Sequence, residues 1–159
     1  AQTGTSLGAR VIADLAAEHH NLVAVKVESS PPGRLIADLA AHGIPSLVGY
    51  AGLHLPDALR RGAVGVQPGC SFTELYLSVW SEWQAGETAA AEDLHRRMLP
   101  WLVTWMQSVE MIVAVEKLIS QRRGLIASST CRAPGYTLDE IEVAGVDRFL
   151  AEFEKELSS

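Results

Sequence analysis

The sequence predicts an α/β chain in which three short parallel strands alternate with helices and an all-helical stretch follows. Two patterns predict it. Through residues 1–71, helically spaced apolar positions alternate with β-branched runs, and the strand centres lie roughly 20 residues apart, a link long enough for a crossover helix and so for parallel strands with right-handed connections. Beyond Ser71 the strand signal stops and long 3.6-residue periods take over. Residues 1–71 therefore read as a strand-bearing part and 72–159 as a helical part.

From Ser6 to His20, Leu7, Val11, Ile12 and Leu15 recur at helical spacing, with Thr5 or Ser6 as the expected cap. The run from Leu22 to Glu28 follows, a strand whose valines share one face. Ser29-Ser30-Pro31-Pro32-Gly33 breaks it. Arg34 to His42 reads as a helix, closed by Gly43 where a left-handed residue is favoured. Ser46 to Tyr50 is the second strand, Gly49 to Gly52 a loop, Leu55 to Arg61 a short helix stopped by Gly62, and Ala63 to Val66 the third strand. The later helices are expected at Phe72–Ala85, Thr88–Gln107 with a kink at Pro100, Val109–Arg123 and Leu138–Leu157.

Composition narrows the function classes. The chain has 159 residues, 48% of them hydrophobic, and a formal net charge of -6. That balance speaks against a nucleic-acid footprint, which needs a basic face to displace counterions. No apolar run approaches the roughly 20 residues that cross a bilayer, and Ala1 opens no signal-like pattern, so the expected location is cytoplasmic and no membrane partner is expected. Two cysteines, Cys70 and Cys131, make no disulfide framework and read as free thiols. The five histidines show no zinc-ligand spacing, and no metal is expected.

The residue that stands out is Lys26. Alternation along the first strand puts Val23, Val25 and Val27 on one side and Ala24, Lys26 and Glu28 on the other, near the strand's C-terminal end, where α/β folds place their chemistry. A lysine enclosed by apolar walls is pushed towards its neutral form, and a neutral amine is a nucleophile that condenses with ketones. The competing reading is a lysine that snorkels to solvent or pairs with Glu28. Among other candidates, Cys70 lies just past the third strand without an identifiable histidine partner. His54 could touch a substrate, although a solvent-exposed histidine at a helix start is the more frequent outcome. Trp80/Trp83 and Trp101/Trp105 have the spacing of helix-packing pairs, and the glycines at 62 and 65 lack the dinucleotide-loop order.

Read in order, these segments resemble the Schiff-base lyase family that includes dihydrodipicolinate synthase and N-acetylneuraminate lyase. Thr3-Gly4, a helix ending at Asn21, and Val23-Ala24-Val25-Lys26-Val27-Glu28-Ser29 resemble the family's sixth barrel strand with its substrate-binding lysine. Gly62-Ala63-Val64-Gly65-Val66, with Gly69 after it, resembles the eighth strand. The Ala85-Gly86-Glu87 turn, the Leu94–Pro100 segment and Arg123-Gly124-Leu125-Ile126 resemble the family's helical tail.

The resemblance implies the C-terminal half of a (β/α)8 barrel, strands six to eight, followed by a last barrel helix and a helical tail. It implies a pyruvate-type 2-keto acid condensed on catalytic Lys26, with no separate cofactor because the lysine itself forms the covalent imine. Gly49, Tyr50, Gly65 and the backbone at Val66 become expected substrate neighbours, and Glu28 a supporting residue. Tyr50 stands where the family commonly carries an acidic or polar side chain. Carbon–carbon cleavage or formation, dehydration of a keto acid, and a catalytically silent assembly or regulatory subunit all remain open. A closed barrel takes about 250 residues. A second chain or segment is therefore expected to supply strands one to five with the carboxylate loop and tyrosine, within a hetero- or homo-oligomer.

Overall fold

A computed structural model describes residues 6–158. The chain divides into two compact units, one reaching Pro68 and the other starting at Gly69.

In the first unit the elements run α1 (Ala9–Glu18), β1 (Val25–Val27), α2 (Gly33–Ala41), β2 (Ser46–Val48), a 3-10 turn (Tyr50–Gly52), α3 (Leu55–Arg60) and β3 (Gly65–Val66). The strands form one parallel sheet in the order β1-β2-β3. Each strand is shorter than its β-branched run suggests, because only part of each run finds a hydrogen-bonded neighbour. Leu22 to Ala24 precede the ladder, and Val23 is 76% exposed. The helix-facing layer is formed by Val27 and Val48, which sit in register and are buried with Ile36, Leu39, Leu55 and Leu59. Helix α2 packs on β2, and α3 on β3.

Helix α1 begins after Gly8, without a side-chain cap. Ser6 does not fill the role expected of it, and Thr5 and the Thr3-Gly4 pair lie outside the described residues. On α1 Ile12 is buried and Val11 about half exposed, and Leu7, which the sequence puts in the same stripe, precedes the helix and is about half exposed. Helix α2 ends as the sequence predicts. Gly43 adopts φ +70°, a conformation in which any Cβ is strained.

The second unit contains α4 (Thr73–Gln84), α5 (Thr88–Trp105), α6 (Val109–Arg122), α7 (Glu140–Glu152) and α8 (Glu154–Leu157). Helix α4 packs along α5, α6 against α5 and α7, and α8 against α4. Helix α5 continues through Pro100 as one element, and the Pro100 carbonyl accepts the Thr104 hydroxyl at 2.8 Å. Ser108 caps α6 by accepting the Met111 N–H, and Asp139 with Glu142 forms a reciprocal capping box on α7. The expected single helix to Leu157 is interrupted at Phe153, whose buried ring turns inward beneath the Arg97 guanidinium. Trp105 joins Phe72, Phe149 and Phe153 in a buried aromatic core that Trp101 flanks, and Trp101, Trp80 and Trp83 are half-buried. Among the described residues, no helix is long and apolar enough to cross a membrane.

Candidate active site

Lys26 is the middle residue of β1 and Glu28 follows its end, Gly49 and Tyr50 follow β2, and Gly65 opens β3. Register places Lys26 beside Leu47, and Leu47 beside Gly65. In a parallel sheet, laterally paired residues point to the same face, so these three form one row, while Val27, Val48 and Val66 form the next row on the opposite face. Lys26 thus stands on the face away from the buried valine layer, as strand alternation requires. Leu47 is the member of this row that sequence reading did not single out. Its signal was the same period of two that selects Lys26.

Lys26 is not enclosed. Its side chain is 43% exposed, and its Nζ lies 3.0 Å from Glu28 Oε1. The apolar enclosure expected of this lysine is not found, and the pairing with Glu28 is. Among the described residues β1 is an edge strand of three residues, so one flank of Lys26 has no neighbouring strand to exclude water. Lys26 and Glu28 are among the residues lining a cavity of about 330 Å³, together with Val25 and Val27 of the opposite face of β1, Ile12 of α1 and Leu35 of α2.

Glu28 does more than pair with the lysine. The same Oε1 accepts the Tyr50 backbone N–H at 3.4 Å, which ties the end of β1 to the turn after β2. Its carboxyl is shaped by opposing influences. Partial burial pushes its pKa up, but the hydrogen bond and charge of Lys26 and the Tyr50 N–H together hold it below the ordinary carboxylate value.

Gly49 leaves the space that Glu28 occupies. A methyl group built on Gly49 would overlap the Glu28 Cγ and Oε1 atoms. This glycine, expected as a substrate neighbour, is packed against the carboxylate side chain. Tyr50 and Ala51, which follow it, take φ values of 50° and 49°, left-handed conformations uncommon for residues with a Cβ. At Gly65 a Cβ would approach the Leu47 Cδ2 to 3.2 Å, so the row beside Lys26 is tight there. Val66 turns its side chain to the opposite face and offers only backbone on the Lys26 side.

The other candidates fall elsewhere. His54 is exposed immediately before α3, and both cysteines are free thiols. Cys70 belongs to the second unit, whereas Lys26 belongs to the first.

Comparison with known proteins gives this geometry its relatives. No curated protein matches the sequence. Dihydrodipicolinate synthase from Rhodopseudomonas palustris is similar at 27% identity, with a TM-score of 0.83 over 91% of this chain and 50% of that one. At 20% identity the fold also matches a prophage protein of the dihydrodipicolinic acid synthase family from E. coli K12, solved in complex with pyruvate. There the TM-score is 0.77, over 96% of this chain and 53% of the other. Dihydrodipicolinate synthase from Thermotoga maritima matches at 19% identity and a TM-score of 0.77, over 94% and 52%. The chain spans about half the length of these relatives, and its three parallel strands and helical tail are a partial (β/α)8 barrel with its C-terminal extension. The model of the dihydrodipicolinate synthetase family matches residues 1–152, and the chain belongs to that family.

Proposed function

We propose that this chain carries the imine-forming part of a Schiff-base lyase that acts on pyruvate or a related 2-keto acid. The observation that carries this reading is the placement of Lys26. Lys26 stands within the barrel strand β1, on the face away from the buried valines and in a row with Gly65, and it is one of the residues lining a cavity. Family membership and the pyruvate bound by the E. coli relative support a keto acid as the ligand.

The chemistry follows from an amine at that place. Its lone pair adds to the ketone carbon, water leaves, and the protonated imine draws electrons from the adjacent carbon–carbon bond. Cleaving or forming that bond, or losing a leaving group from the neighbouring carbon, then needs a proton donor or acceptor that the rest of the barrel would supply.

The remaining strands come, in this proposal, from another segment or chain. Among the described residues β1 and β3 each pair on one side only, and apolar Leu7, Val23 and Val64 are exposed. Unpaired edges flanked by exposed apolar side chains are what a completing sheet would cover.

Treating the protein with pyruvate and borohydride tests the reading, in the presence of whatever segment completes the barrel. A reduced pyruvate adduct on Lys26, located by peptide mass, is the expected result. Its absence from the completed assembly would favour the second reading, a silent assembly subunit in which the Lys26–Glu28 ion pair simply caps a strand end.

A further inference from the structure

We propose that Glu28 is a catalytic residue of the imine-forming step, acting as proton carrier between nitrogen and oxygen and then as counter-ion of the iminium, and that Gly49 exists to seat it. The inference rests on the Lys26 imine reading and assigns a role within it.

Three observations carry it. The Glu28 Oε1 atom lies 3.0 Å from the reacting Nζ, so it is already within proton-transfer reach of the nitrogen. The carboxylate is held in place by the Tyr50 N–H. Its position is possible only because Gly49 has no side chain, since a Cβ there would overlap Glu28 itself. An exposed ion pair with no further purpose needs neither a backbone donor nor a glycine cut away beneath it. Both features fix where the oxygen sits.

The step balances as follows. The Lys26 ammonium releases one proton to water, and the free amine adds to the ketone carbon, forming a C–N bond and an alkoxide that takes one proton back from water. The nitrogen, now positively charged, passes a proton to the Glu28 carboxylate. The resulting carboxylic acid returns that proton to the hydroxyl as the C–O bond breaks, and water departs. Ammonium and ketone have become iminium and water, and Glu28 is again a carboxylate beside a cation.

The test is the rate of borohydride trapping of pyruvate on Lys26 as a function of pH, for the wild type, Glu28→Gln, Glu28→Asp and Gly49→Ala in the completed assembly. Glu28→Gln is expected to lower the plateau rate by about 100-fold, the size of a typical acid–base contribution. Glu28→Asp should recover part of the plateau, and Gly49→Ala, which keeps the carboxylate but displaces it, should lower the plateau as well. An adduct that forms in the wild type and in Glu28→Gln at the same rate, with the same pH profile, would overturn the role of Glu28 and leave the imine reading standing. No adduct in the wild type would remove both.

Discussion

Arg123 holds the Glu74 carboxylate with a two-pronged grip, Nη2 to Oε1 at 2.6 Å and Nη1 to Oε2 at 3.0 Å. The same guanidinium donates to the Ser71 carbonyl and, at 3.3 Å, to the Leu157 carbonyl. One planar donor thereby joins the start of α4, the end of α6 and the end of α8. The fork geometry explains why arginine serves here and lysine would not.

This pair gives the second unit an acid-sensitive contact. The Arg123 hydrogen bonds outweigh desolvation and hold Glu74 below its ordinary value of 4.5. The unfolded chain therefore takes up a proton at Glu74 at higher pH than the folded chain does. The stabilisation is fully present above about pH 4.5 and is lost as the pH falls through the lower folded value. Urea titrations from pH 6 down to 3 should show stability declining in this window. Arg123→Lys should be less stable than the wild type at pH 6 by about 2 kcal/mol and show a shallower decline. Equal pH slopes for the two proteins would contradict the account.

Phe149 is the hub of the tail. Its ring is fully buried and lies 4.9 to 5.9 Å, centroid to centroid, from those of Phe72, Trp101, Trp105 and Phe153. Phe149→Ala removes this contact from all four at once and should cost about 3–5 kcal/mol, with Phe149→Leu milder because it refills most of the volume. Denaturant midpoints of the two variants, and tryptophan emission from Trp101 and Trp105, check the order.

The turn after β2 carries backbone strain that a glycine would relieve. Ala51 takes φ 49°, where a Cβ crowds the following carbonyl at a cost of about 1–2 kcal/mol. Ala51→Gly gives back part of that gain as chain entropy, so the expected net effect is a stabilisation of roughly 0.5 kcal/mol. A thermal melt of the variant reads it, and a lower midpoint would show that the turn is not strained in solution. Two left-handed residues next to Gly49 suit a segment whose N–H is aimed at Glu28.

Local pattern accounts for the elements but not their limits. Apolar spacing located the long helices of the tail, and Gly43 marked the end of α2, because both signals depend on neighbours three or four residues away. Strand ends were less legible. Val23 belongs to the β-branched run, yet it lies outside the ladder, since pairing is decided by Ser46 and its neighbours on β2 rather than by propensity. Phe153 interrupts a stretch that is helical by period, because a buried ring pulls the backbone in.

For the site, alternation alone put Lys26 and Glu28 on one side of β1, because the side-chain period of an extended chain is set by its covalent geometry. Folding decided what each of them meets. Glu28 settles over Gly49, 21 positions further on, only when β1 and β2 pair in this register, and Lys26 is half open to water because β1 lies at an edge of the described sheet. Periodicity is a property of the backbone and is written in order along the chain. Contact between strands and exclusion of water depend on packing in three dimensions, which sets the amine's neighbours and its access to solvent.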